Sequence, residues 1–402
     1  MGELTSTEQE IVERAAAEPM LDQVLAWSAV NSGSRNLGGL ERMAELLADA
    51  FSALPGVLRL ENPALVAAVD HAGRTLNVQH GRHLHLNVRP TAPVQMLFTG
   101  HMDTVFGENH AFQDTRWRDD NVLNGPGVAD MKGGLAVMLA ALKALEASPG
   151  ADRLGYEVVI NSDEELGSLS SASLLTRAAA GKRAALTYEP AALPDGTLAG
   201  ARPGSGNFSI LVHGRSAHAG RNPEDGRNAI VAAADLAMRL SKAKGPRLSI
   251  NPSRIDGGGP TNVVPELAIL RVNMRPATPE DEQRGRSLLD ASVAMVAAEH
   301  DVKIEVSGEF GRPPKPLTPN SVALFNLVKK AGADLGQAIG WQPSGGVCDG
   351  NNIAACGVPV VDTMGVRGGL IHSMEEYLIV DSLKERAALS TLTVLRLVQE
   401  AA

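Results

Sequence analysis

Cysteine is almost absent: the chain of 402 residues has two, Cys348 and Cys356. That pair, close together in one segment, makes neither a disulfide framework nor the paired spacing of a zinc-thiolate site, so a reducing, cytoplasmic setting is the simpler expectation. No apolar run reaches the ~18 residues of a membrane-spanning helix. The opening MGELTSTEQEIVERAAAEP carries acidic charge where a signal peptide needs a basic end followed by an apolar run. Basic charge is not in excess either. The balance of 37 Lys and Arg against 46 Asp and Glu gives −9, which argues against nucleic acid or an anionic membrane as the main partner. One arginine can still reverse the field inside a pocket, so an anionic substrate stays open.

What is present fits a soluble globular protein: 44% hydrophobic residues and a mean hydropathy near zero. The length is large for one core and predicts two domains. Residues 5–55 carry two helical patterns broken at NSGSRN, the second running from Leu40 to Leu54. Strand candidates follow at LVAAV, HLHLNVR and VQMLFTG. MKGGLAVMLAALKALE predicts an amphipathic helix directly after Asp130, and the strand, loop, helix order repeats through YEVVINS, SLSSASLLTRAAAG and AALTYE. Such α/β alternation gathers ligands beyond the carboxyl ends of its strands.

Near residue 205 the pattern changes to βαββαβ and runs to about residue 312, the length of one small α/β sandwich. After GRPPKPLTP the first pattern returns, with a helix at SVALFNLVKKAGADLG, a strand at GVPVVDTMG and a last helix at DSLKERAALSTLTVLRLVQE. The expected organisation is therefore a domain of residues 1–205 plus 313–402, interrupted by an inserted unit of residues 206–312. The fold class is α/β with a mixed central sheet and an α+β insertion of ferredoxin-like order.

Six side chains that can bind metal or move protons stand just past the predicted strands: His101, Asp130, Glu164, Glu165, Glu189 and His372. Two histidines and three carboxylates can hold two borderline-soft divalent ions, leaving one carboxylate as a base. In the expected division Glu165 and His372 serve one ion, His101 and Glu189 the other, and Asp130 bridges both. Asp103, two residues from His101, is placed to orient its imidazole. Glu164 is the general base: two ions about 3.5–4 Å apart acidify a water and polarise a carbonyl, and Glu164 carries the proton to the leaving nitrogen.

These residues sit in an ordered series of segments: NSGSRNLGG, GHMDTVF, GVADMKGG, SDEELGS, TYEP, HGRSAHAG, GGGPTNVVP and GGLIHS. The series resembles the M20 family of zinc exopeptidases and amidohydrolases, especially its carboxypeptidase G2-like group, over nearly the whole chain. The resemblance implies two zinc ions per chain, for which Co2+ or Mn2+ could substitute, and release of a free amino acid from a small peptide or an N-acyl amino acid. It implies that the insertion is a lid and dimerisation domain of a homodimer. It also assigns His218 to oxyanion support across the dimer, Asn262 to substrate contact and Arg275 to the substrate carboxylate. Gly345, Gly346, Gly368 and Gly369 then shape close approaches of backbone to ligand. Cys348 departs from the small residue expected there and reads as a buried small hydrophobe. An acidic residue at the released end is one option; aminopeptidase action on di- or tripeptides, deacylation of a biosynthetic intermediate and oligo-aspartate hydrolysis are others. A metal-stabilised binding protein without turnover is the alternative from a different class.

Overall fold

In the computed structural model, which describes residues 4–400, the central sheet has six strands. Their spatial order is Val57–Glu61, His83–Val88, Leu154–Asn161, Val94–His101, Ala184–Thr187 and Val360–Val361. The first two pairings are antiparallel and the other three parallel, so the sheet is mixed. Among the described residues no helix is long and apolar enough to cross a membrane.

The helix expected after Asp130 is present as Gly133–Glu146, but it is buried nearly all round rather than amphipathic. All its residues except Lys143 and Glu146 are buried, because the helices Ser6–Ala16, Met20–Ser28 and Asp381–Gln399 cover the side turned away from the sheet. With so few charges, nothing in the sequence demanded solvent on that side. Gly134 lets the helix approach the sheet, since a Cβ there would lie 2.0 Å from the Tyr188 carbonyl oxygen.

The amino-terminal region has three helices rather than two. The first pattern breaks at Pro19, which lacks the N–H needed to continue Ser6–Ala16 into Met20–Ser28. The next helix is Leu37–Phe51, three residues earlier than the apolar spacing suggested. Asn36 sets that start, its side chain accepting the Gly39 N–H at 3.0 Å. GVPVVDTMG contributes only Val360–Val361 as strand, paired with Ala184–Thr187.

A second sheet of four antiparallel strands, in the order Leu248–Gly257, Leu267–Pro276, Ser205–His213 and Lys303–Arg312, carries the helices Ala229–Lys242 and Pro279–His300. It has its own core, including Ile210, Leu236, Leu270 and Val296. The two chain segments that link the sheets pair with each other. Arg202 and Lys315 exchange backbone hydrogen bonds at 2.9 and 3.0 Å, and both side chains hold the buried Asp362 at 2.8 Å. A hairpin formed by Val66–Val69 and Thr75–Val78 adds a second tie, because Arg271 donates to the Val69 and Asp70 carbonyls at 2.9 and 2.8 Å.

Candidate metal centre and active-site cavity

Three neighbouring parallel strands deliver four of the six side chains. His101 ends Val94–His101, Glu164 and Glu165 form a 3-10 turn just past Leu154–Asn161, and Glu189 follows Ala184–Thr187. Asp130 lies in the turn Val128–Lys132 before the buried helix, with φ −115° and ψ 88° taking it out of helical conformation. His372 comes from the turn between Gly368–Gly369 and Tyr377–Ile379, two strands paired antiparallel. Leu370 and His372 have φ of 54° and 63°. Such left-handed conformations cost non-glycine residues about 1–3 kcal/mol each and persist where the surroundings enforce them.

Asp130 lies between the two histidines. Its Oδ1 is 3.1 Å from His101 Nε2 and its Oδ2 is 3.2 Å from His372 Nε2. Glu189 Oε2 lies 3.7 Å from the first histidine and Glu165 Oε2 lies 3.2 Å from the second. The donor atoms of His101, Asp130 and Glu165 all fall within 4.8 Å of one another, as do those of His101, Glu164 and Glu189. Asp103 Oδ1 is 3.4 Å from His101 Nδ1, but the shorter contact of that nitrogen, 2.9 Å, is with the Asp103 backbone carbonyl. The Asp103 carboxylate instead accepts the Glu164 and Glu165 N–H groups at 3.1 and 3.2 Å and the Ser34 hydroxyl at 2.7 Å. It thereby fixes the turn carrying both glutamates.

Burial raises the Glu165 carboxyl to about 8, and the Asp130 charge adds to the shift. Burial likewise pushes Glu189 up to about 8 against the opposing charge of His101. His372 rises to about 11, chiefly through its hydrogen bonds with Asp130 and Glu165. Burial would raise Asp130 too, yet the bonds to His101 and His372 hold it below the usual carboxylate range. Buried carboxyls crowded in this way favour a bound cation or a proton over free negative charge. Among the described residues no lysine or arginine forms an ion pair with Asp130, Glu165 or Glu189, whereas Glu164 is paired with Arg312 at 2.6 Å. Oxygen and imidazole donors converging without a protein cation fit divalent metal ions, and Glu164 differs from the other carboxylates in having Arg312 beside it.

The cluster opens into a cavity of about 1270 Å³, whose lining includes Arg202, Arg275, Arg312, Gly346, Gly369 and Cys348. Arg202 shares Asp362 with Lys315, and Arg312 is paired with Glu164. Among the described residues the hydrogen bonds of Arg275 go to neutral groups, Asn273 Oδ1 at 3.1 Å and the Gly345 carbonyl at 3.0 Å. Gly368 packs against the Tyr377 carbonyl, which a Cβ would meet at 2.1 Å. Burial raises the Cys348 thiol well above its usual range, and its Sγ lies 3.4 Å from Asp362 Oδ2. His218 and Asn262 are exposed and lie outside the cavity lining; the backbone holds them together, Ala219 N–H donating to the Asn262 carbonyl at 3.0 Å.

Sequence reasoning missed three features of this region: Glu376, Arg312 and the Arg202–Asp362–Lys315 group. Glu376 carried a signal, since it lies one turn of chain beyond His372 in GGLIHSMEEY. The other two come together only through the fold.

Fold and cluster fit a hydrolase with candidate metal ligands. The chain belongs to peptidase family M20/M25/M40, whose profile matches residues 97–396. It is 31% identical to carboxypeptidase G2 of Pseudomonas sp. (strain RS-16) over 303 residues, covering 72% of this chain and 71% of that protein. It is 28% identical to succinyl-diaminopimelate desuccinylase of Psychrobacter arcticus over 317 residues, with 73% and 76% covered. The crystal structure of a tripeptidase from Staphylococcus aureus subsp. aureus Mu50 superposes with a TM-score of 0.73 at 22% identity, covering 97% of this chain and 99% of that one.

Proposed function

We propose that this protein is a two-zinc hydrolase that cleaves a peptide or N-acyl amide bond and releases an amino acid with a free carboxylate. The observation that carries the proposal is the sharing of Asp130, with a different histidine at each of its oxygens. In this reading Glu165 and His372 hold one ion, His101 and Glu189 the other, and Asp130 both. When bound, the ions supply Lewis acidity toward a carbonyl and a water. Glu164 takes a proton from the attacking water and returns it to the leaving amine nitrogen. Asp103 keeps Glu164 and Glu165 in place through their backbone N–H groups. Arg275, with no acidic partner among the described residues, receives the substrate carboxylate, and Gly346 and Gly369 let substrate approach the backbone closely.

The same proposal makes the second sheet and its helices a lid, and the active unit a homodimer in which His218 and Asn262 of one subunit reach the cavity of the other. Their exposure and their place outside the cavity lining of their own chain support that arrangement. The kinship with a carboxypeptidase and with a desuccinylase supports hydrolysis of an amide next to a free carboxylate. An aminopeptidase reading rests on Glu309, a carboxylate that lines the cavity outside the metal cluster and could receive a free amine.

The test is turnover by the zinc-loaded enzyme of N-acyl amino acids and dipeptides, each with a free or amidated carboxyl end, by wild type and Arg275→Gln. The expected result is that Arg275→Gln weakens the acids far more than the amides. Equal losses, or wild-type preference for substrates with a free amine irrespective of the carboxyl end, would move the assignment to the aminopeptidase reading.

A further inference from the structure

Glu164 is held from the second sheet. Arg312 ends the strand Lys303–Arg312, where it is in register with Ser205, the first residue of Ser205–His213. The arginine therefore sits where chain passes between the two sheets. Its side chain is buried, 3% exposed, yet it lines the cavity. One guanidinium nitrogen donates to Glu164 Oε1 at 2.6 Å; another donates to the Glu164 backbone carbonyl at 2.8 Å and to Ser168 Oγ at 2.9 Å. Asp349 Oδ1 lies 3.8 Å away as a second acidic neighbour. Asp349 is itself anchored, accepting from the Ser168 hydroxyl and, at 2.7 Å, from the Asn161 amide.

We infer that Arg312 is a positioning residue for Glu164, fixing the carboxylate of the proposed base against the metal cluster through simultaneous contacts to its side chain and backbone. This rests on the proposed role of Glu164. Geometry supplies the reason. A glutamate has three side-chain torsions, and a base must sit within hydrogen-bond reach of the proton it takes. The Asp103 carboxylate holds the Glu164 N–H, Arg312 holds its carbonyl, and the same guanidinium holds one carboxylate oxygen. A planar fork can make the last two contacts from one rigid group, which a lysine ammonium cannot reproduce. A guanidinium bound only to hold the two sheets together would have no need of the carboxylate oxygen.

The experiment compares zinc-loaded wild type, Arg312→Ala, Arg312→Lys, Glu164→Gln and the double variant Arg312→Ala/Glu164→Gln. Metal content and melting temperature are recorded for each. Arg312→Ala should keep both metals and lower kcat by about 10–100-fold, the scale of a misplaced acid-base group, with KM nearly unchanged. The double variant should be no slower than Glu164→Gln, since residues acting as a unit are non-additive. Added guanidinium chloride at tens of millimolar should restore part of the activity of Arg312→Ala and none of the double variant, while Arg312→Lys should recover little. Multiplicative losses in the double variant, or a loss carried by KM, would overturn the inference in favour of substrate contact; loss of metal would overturn it in favour of a structural role.

A readout independent of turnover separates this inference from the proposed function. In zinc-loaded protein treated with a water-soluble carbodiimide and an amine, Glu164 should be modified severalfold faster in Arg312→Ala than in wild type, and guanidinium should restore its protection. Equal modification rates would overturn the inference even if the enzyme hydrolysed every substrate. Faster modification in Arg312→Ala, with a wild type that hydrolyses none of the substrates, would leave the positioning intact and sink the hydrolase reading alone.

Discussion

The Glu376 carboxylate accepts the backbone N–H of Asp130 at 3.0 Å, and those of Ala129 and Gly127 at 3.0 and 3.2 Å. The short segment that carries His372 into the cluster therefore also fixes the turn that presents Asp130. Glu376 is 1% exposed, and burial, with the Asp130 charge adding to it, raises its carboxyl to about 7. Groups that orient metal ligands in this way typically change metal affinity by about 10–100-fold when removed. Glu376→Ala should weaken zinc binding on that scale, measured by competition with a chelator, and Glu376→Gln should weaken it less because an amide oxygen can still accept from the turn. Unchanged affinity in Glu376→Ala would show that Asp130 holds its position without this support.

Glu164→Gln separates chemistry from metal binding. Both ions should remain, and hydrolysis should fall by at least ~10²-fold, the usual scale for a lost acid-base group. Metal analysis alongside single-turnover rates checks both halves. Near-normal turnover at full metal content would remove Glu164 as the base.

Mixing two inactive variants tests the exchange of His218. In a heterodimer of His218→Ala and Glu164→Gln, one site would combine an intact base with an intact histidine from the partner, and the other would contain both defects. About half of the wild-type activity should return in the heterodimer, since a twofold contact is used twice. Absence of rescue in demonstrated heterodimers would sink the cross-subunit role of His218.

Away from the metals, His85 gives a pH signature. Its Nε2 lies 2.6 Å from Glu157 and its Nδ1 lies 2.8 Å from Glu61, and these contacts, Glu157 foremost, raise its pKa above the ordinary histidine value. Because the folded-state pKa is the higher one, the stabilisation is fully present below the unfolded value near 6.5 and is lost as pH rises through the folded value. His85→Gln should therefore cost about 1.5–3 kcal/mol in mildly acidic solution, the scale of a hydrogen bond to a charged group, and progressively less at alkaline pH. Melting temperatures of the two proteins across that range check the sign. A difference that grows with pH would contradict the pairing.

The alternation of strands and helices was legible because buried parallel strands read as short apolar runs, and the βαββαβ order of the second sheet follows from its own periodicities. The convergence of His101, Asp130, Glu164, Glu165, Glu189 and His372 was legible for a related reason: strand ends in such folds meet at one edge. The coverage of the helix Gly133–Glu146 on both sides was not legible, since an apolar sequence does not say how many neighbours it will find. Arg312 and Glu376 escaped as well. Each acts through backbone groups of a turn distant in sequence, and no side-chain pattern records which carbonyl or N–H a residue will hold.

Asp130 and His372 are in contact, although nearly the whole of the second sheet and the helix Pro319–Asp334 is synthesised between them. Until a nascent chain has emerged through the turn bearing His372, the carboxylates of Asp130, Glu165 and Glu189 have only His101 for company. Closing so long a loop must precede the gain from the contact it permits. The ions also stabilise only the form that binds them. In the proposed two-ion enzyme, uptake of the second ion would therefore wait for the turn bearing His372, and metal scarcity would act on the newly made protein before it acted on the mature one.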